Sequence, residues 1–171
     1  MSPAPADHVN AVELAGRAAR LERHASLAQL VRVAEAGALE GTEVRADLEF
    51  GTFDGRVTMV VRVEGNVVLT CQRCLGPCVC RVNESAVLAI VERDTDEVPG
   101  GYEPLLGDPE RLSVTEVIEE QVLLGLPLVP MHANPGDCGV AQAPPPEART
   151  AADERQRPFA NLRQLLDKGT G

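Results

Sequence analysis

From Glu43 to Phe50 polar and apolar residues alternate without a break, Glu43, Arg45, Asp47 and Glu49 interleaving with Val44, Ala46, Leu48 and Phe50. A period of two belongs to a strand with one face buried and one wet, because successive side chains leave opposite sides of the pleat. Asp54-Gly55 follows, supplying the positive φ values of a tight hairpin turn, and Val57, Met59, Val61 and Val63 form the inward face of a return strand. Gly65-Asn66 repeats the turn signal, which predicts a third strand over 67–71 and a fourth over 78–92 with Leu88 and Ile90 on one face. The expectation is an α+β fold built on an antiparallel β-meander of about four strands.

Helices are expected to flank it at the N-terminus, in the middle and at the C-terminus. Residues 26–36 carry Leu27, Leu30, Val31 and Ala34 as a helical stripe ended by Gly37. Ser113 with Glu116 forms a capping box for a helix running to about Leu124, with Val114, Val117, Ile118 and Val122 inward and Glu116, Glu119 and Glu120 outward. Gly125 and Pro127 stop it. The stretch 91–120 holds ten acidic and two basic residues, and its first part reads as loop through Pro99-Gly100-Gly101 and Asp108-Pro109. Its acidic helix face is either a solvated surface or a docking face for a basic partner. Residues 133–157, with Pro135, Pro144, Pro145 and Pro146, read as a linker, and 158–171 as an amphipathic helix and tail using Phe159, Leu162, Leu165 and Leu166. The domain organisation expected is a flexible N-terminus over 1–9, an α+β domain over 10–132, that linker, and the C-terminal helix.

Composition narrows the function classes. Hydrophobic residues make up 44% of the 171 but aromatics only 2%, so the core is built from Val, Leu and Ala and little is left for stacking on bases. With 16 basic and 26 acidic residues the net charge of −10 repels phosphate backbones at long range. The densest basic region is Arg17, Arg20, Arg23, His24 and Arg32; at helical spacing Arg17, Arg20 and Arg23 or His24 share a face able to grip phosphates, or they stand as solvated arginines beside Glu13 and Glu22. The N-terminus lacks a charged start and apolar run, and the longest apolar run, 122–131, is too short to span a bilayer and contains Pro127 and Pro130. A cytoplasmic protein without a membrane segment is expected. No phosphate-binding loop, dinucleotide glycine pattern or nucleophile elbow is present, so no enzyme and no small-molecule substrate are expected. A thiol oxidoreductase is the least implausible enzyme, yet Cys71 ends a strand without opening a helix whose dipole would activate it.

Cysteine spacing carries the best functional clue. Cys71, Cys74, Cys78 and Cys80 fall within ten residues, and Cys138 follows His132 at H-x5-C spacing. A C-x2-C turn holds two thiolates about one metal radius apart, and the distant His/Cys pair completes a tetrahedral set of the kind zinc prefers. The metal ligands expected are therefore Cys71, Cys74, His132 and Cys138, with a redox pair at Cys71 and Cys74 as the alternative. Cys78 and Cys80, two apart on a strand, read as small core hydrophobes. A site made of Cys71, Cys74, Cys78 and Cys80 is the rival, although adjacent alternate strand positions space two thiols awkwardly for one ion.

Cys71-Gln72-Arg73-Cys74 with Pro77 after a β-rich segment, then the helix leading into Gly125-Leu-Pro-Leu-Val-Pro-Met-His132 and Cys138, then Pro158-Phe159-Ala160-x-Leu162, resembles the YceD family, the large ribosomal RNA subunit accumulation proteins. The resemblance runs over about residues 10 to 168, and Cys78 and Cys80 depart from its pattern. It implies a non-catalytic role in 23S rRNA accumulation and large-subunit biogenesis. It brings no catalytic residue. An acidic protein with that role contacts either a basic ribosomal protein or pre-ribosomal ribonucleoprotein, with 91–120 as the complement, or rRNA directly through Arg17, Arg20 and Arg23. The competing class is a metal-bearing interaction module unrelated to ribosomes.

Overall fold

The computed structural model describes residues 7–93 and 97–139, which fall in a single compact unit ending at Gly139. Residues 1–6 and 94–96 lie outside this description, as do the linker expected beyond 139 and the C-terminal helix expected over 158–171. The order of elements is β1 (His8–Val9), α1 (Ala11–Gly16), β2 (Arg20–Ser26), a 3-10 turn (Leu27–Gln29), α2 (Val31–Glu35), β3 (Leu39–Phe53), β4 (Arg56–Thr70), β5 (Pro77–Val91), β6 (Glu103–Leu106), β7 (Leu112–Ser113), α3 (Val114–Leu124) and a 3-10 turn (Pro135–Asp137).

The fold is α+β. Strands β2-β3-β4-β5-β6 form one sheet, antiparallel except for the short parallel pairing of β6 along Leu88–Val91 of β5. A separate two-stranded ribbon pairs β1 with β7. The sheet has five strands where four were expected, and two of them were read otherwise. No strand is expected over β2, where only a helical spacing of the arginines is weighed; its apolar positions are only Leu21 and Ala25, with the half-buried stem of Arg23 between them, so the alternation is thin. β6 lies between the loop signals Pro99-Gly100-Gly101 and Asp108-Pro109, in the stretch expected as loop; its own Pro104 is tolerated because β6 is an edge strand.

The β3–β4 hairpin turns at Asp54 (φ 50°) and Gly55 (φ 74°), the doubly positive pair whose twist matches that of the flanking strands. Thr42, Val44, Ala46, Leu48 and Phe50 face the core from β3, and Met59, Val61 and Val63 from β4, as the alternation requires. Gly65-Asn66 makes no turn; β4 runs straight through it to Thr70. Gly65 is needed instead for close approach, because a Cβ there would stand 2.3 Å from the Glu43 carbonyl oxygen and 2.7 Å from Val44 Cα. Just before that crowding, the register between β3 and β4 shifts between Leu39 and Glu43. Gly41 (φ 91°) absorbs the bulge, and the buried Thr42 hydroxyl repairs the ladder by accepting from Val68 N (3.0 Å) and donating to Leu39 O (2.8 Å).

One face of the sheet is covered by helices; α1 packs on β3 and β4, and α3 on β5, β4 and α2. The stripe over 26–36 splits into the 3-10 turn and α2, burying Leu30 and Val33 and leaving Val31 exposed, with Gly37 (φ 97°) ending it as expected. α3 is capped by Ser113, whose hydroxyl accepts from Glu116 N (3.3 Å) and donates to Asp7 (2.8 Å), and Asp7 also accepts from Thr115 N (3.1 Å). Burial works against ionising Asp7, but these bonds from Thr115 and Ser113 outweigh it and lower its pKa. His8 and Val9, placed by sequence in the N-terminal tail, thus pair beside the start of α3. Val114, Val117, Ile118 and Val122 are buried as expected, but Glu119 is not outside. It is 4% exposed and accepts from Arg32 N at 2.7 Å, capping the first turn of α2.

The opposite face is polar and laced with ion pairs, Arg45 with Glu22 (3.2 Å) and Asp47 (3.3 Å), Arg62 with Glu49 (3.0 Å) and Arg20 with Glu49 (3.5 Å). The arginine face predicted for a helix does not form. Arg17 follows the last turn of α1, while Arg20 and Arg23, three apart on β2, leave the sheet on opposite sides.

Gly65→Ala should overpack the β3–β4 contact against backbone and cost about 3 kcal/mol. Gly51→Ala, whose Cβ would meet only Thr58 Oγ1 at 3.6 Å, should stay within about 1 kcal/mol of the parent. Urea unfolding of both variants checks this; equal midpoints would refute the close-approach role of Gly65.

Candidate metal centre

Between β4 and β5 the chain makes a tight knuckle rather than a smooth turn. The last paired residues are Thr70 and Pro77, and the segment between them closes with Cys71 N–H to Gly76 O (2.8 Å) and Leu75 N–H to Cys71 O (2.9 Å). Leu75 takes a left-handed conformation (φ 61°) and is 75% exposed. The knuckle points the Arg73 N–H at Cys71 Sγ (3.4 Å), a bond that favours the thiolate.

The second half of the site arrives from α3. Gly125 lets the end of that helix lie flat on β5, since a Cβ there would meet Glu84 Cγ at 2.6 Å and Val82 Cγ1 at 2.9 Å. The following segment runs back to the knuckle, where Pro130 O accepts from Gln72 N–H (2.9 Å). His132 then enters beside Cys74, and the 3-10 turn Pro135–Asp137, with Cys138 N–H bonded to Pro135 O (3.2 Å), returns Cys138 to the same point. Residues 133–139, read as the start of the linker, form this loop.

The side chains of Cys71, Cys74, His132 and Cys138 converge, and their donor atoms all lie within 4.8 Å of one another. Cys71 Sγ is 4.0 Å from Cys138 Sγ, and His132 Nδ1 is 3.6 Å from Cys74 Sγ and 3.5 Å from Cys138 Sγ. His132 Nε2 lies 3.0 Å from the Pro77 carbonyl oxygen. A carbonyl only accepts, so Nε2 carries the proton and Nδ1 presents its lone pair to the sulfurs, the tautomer a metal ligand requires. These four residues could hold a metal ion.

Electrostatics separate the cysteines. Burial pushes the Cys71 thiol up, but the N–H groups of Arg73 and Cys74 and the contacts with His132 outweigh it and hold its pKa at about 5. Cys138 is raised, by burial first and then by its sulfur neighbours Cys74 and Cys71. Cys78 is pushed up to about 11 by burial and by the adjacent Cys80. Cys78 and Cys80 lie outside the ligand group, facing the core opposite Leu69 and Val67 at 2% and 9% exposure. The rival set of Cys71, Cys74, Cys78 and Cys80 is therefore not the one brought together. All five cysteines are free thiols.

The Pro77 carbonyl, the Gln72–Pro130 bond and the Arg73 contacts were not read from sequence. Backbone acceptors carry no residue signature. Arg73, between the two knuckle cysteines, was the one available signal.

In metal-free reduced protein, native alkylation at neutral pH should label Cys74 and Cys138, the half-buried pair, while Cys78 and Cys80 react only after unfolding. Peptide mass spectrometry reads the order, and early labelling of Cys78 would contradict this geometry.

Compared with known proteins, the chain matches no curated protein and no solved structure significantly. A family model does match it, described as "Large ribosomal RNA subunit accumulation protein YceD", over residues 59–166, a span that takes in most of β4, the knuckle, α3 and all four converging side chains. More than half of the chain is matched, and it belongs to the YceD family.

Proposed function

We propose that this chain is a non-catalytic, cytoplasmic factor in 23S rRNA accumulation and large-subunit assembly. In this reading a zinc ion held by Cys71, Cys74, His132 and Cys138 locks the knuckle to the loop after α3. Membership of the family carries the biological part. The geometry of the cluster supports the metal. A tetrahedral zinc with sulfur at about 2.3 Å and nitrogen at about 2.1 Å has edges of ~3.8 Å between sulfurs and ~3.6 Å between sulfur and nitrogen. The Cys71–Cys138 sulfur separation is 4.0 Å and those from His132 Nδ1 to Cys74 and Cys138 are 3.6 and 3.5 Å, with all four donor atoms within 4.8 Å of one another. When bound, zinc supplies cross-linking and no chemistry, because four protein ligands close a tetrahedral site to substrate.

The partner that fits best is a basic ribosomal protein or pre-ribosomal ribonucleoprotein. Charge supports this: the chain carries −10, and Arg20, Arg32, Arg45 and Arg62 are engaged with carboxylates. No described helix is long and apolar enough to cross a membrane.

Cells lacking the protein should show a lowered 23S to 16S rRNA ratio and a depleted large-subunit peak in sucrose gradients. Wild-type protein should restore both, and Cys71→Ser or Cys138→Ser should not. Normal ribosome profiles in the deletion strain would overturn the proposal in favour of an interaction module with another partner.

A further inference from the structure

We infer that Arg73 is the charge-compensating and positioning residue of the metal centre, an inference that rests on the zinc reading above. Three thiolates and one neutral imidazole around a divalent cation leave one net negative charge. In a half-buried site that charge needs a counterion or water. Arg73 supplies a charge that does not titrate, since a guanidinium stays protonated in proteins.

Its contacts reach both halves of the site. The main-chain N–H points at Cys71 Sγ (3.4 Å), while Nη1 of the side chain lies 3.8 Å from Cys138 Sγ and Nη2 lies 3.8 Å from Met131 Sδ. One residue thereby touches a ligand of the knuckle, a ligand of the downstream loop, and the neighbour of the third ligand, His132. The two prongs of the guanidinium fix Cys138 and Met131 together, which a lysine, with a single point of charge, does not reproduce. Cys138 is otherwise held by a short 3-10 turn with one main-chain bond and by its sulfur contacts with Cys71 and His132, so Arg73 is the charged group that joins it to the knuckle. Arg73 is itself exposed, so changing it leaves the core packing of the sheet alone.

The test measures zinc affinity by competition with a chromophoric chelator on full-length reduced protein, comparing wild type, Arg73→Met and Arg73→Lys. Far-UV circular dichroism confirms folding, and cobalt(II) substitution reports the ligand set through its thiolate charge-transfer band. Loss of an outer-shell partner weakens metal binding about 10- to 100-fold. Arg73→Met is expected to fall in that range, Arg73→Lys to fall between it and wild type, and the gap to narrow as salt screens the charge. The cobalt band should persist in both variants, because the ligands are unchanged. If wild type and Arg73→Met bind zinc with indistinguishable affinity, the role of Arg73 is wrong while the metal site stands. If folded wild type takes up neither zinc nor cobalt, the metal reading fails and the inference falls with it.

Discussion

The register between β4 and β5 decides where every cysteine of the cluster points. Leu69 faces Cys78, Thr70 faces Pro77, and the chain between them has no room for a relaxed loop, so it closes as a knuckle around Cys71. A slip of one residue would turn Cys78 and Cys80 to solvent and carry Cys71 away from the inner face, because side chains alternate strictly along a strand. The neighbouring β3–β4 register is set by two features of its own. The turn at Asp54-Gly55 sets the β3–β4 pairing, and the bulge at Gly41 and Thr42 fixes where β4 crosses β3 at Gly65.

A second constraint acts through space rather than along the sheet. Cys71 and Cys74 are close neighbours in sequence, whereas His132 and Cys138 arrive only after β5, β6, β7 and α3 have been threaded. Closing so long a segment costs conformational entropy, and a metal that binds only the closed arrangement offsets that cost. The structure shows the closure supported at both ends, by the Gln72 N–H to Pro130 O bond and by the seating of Gly125 on Val82 and Glu84. With the anchoring of Nε2 on Pro77 O, the loop arrives with His132 already in a ligating tautomer. The same clasp keeps exposed apolar residues, among them Leu75, Leu128, Val129 and Met131, on segments of fixed course.

Local periodicity made the hairpin legible, since Val44 to Phe50 and Met59 to Val63 alternate with a clarity that only a half-buried strand explains. The four converging side chains were legible for a different reason: thiols and imidazole at metal-ligand spacing, together with the motif resemblance, leave few other arrangements. Other features were hidden by physics that a linear pattern does not encode. Gly65-Asn66 has turn chemistry, but the glycine answers to a neighbouring backbone that only the folded sheet brings near. Glu119 has an exposed residue's chemistry, yet the unsatisfied N–H at the start of α2 draws it inward. β2 is polar on one face and only weakly apolar on the other, so arginine spacing suggested a helix where pairing with β3 imposes a strand.

Native mass spectrometry of the reduced, untagged full-length chain tests the central claim most directly. The account predicts a folded protein carrying a single zinc, retained after Cys78→Ala and lost after His132→Ala. A folded wild-type chain with no bound metal, or one that keeps its zinc without His132, would contradict it.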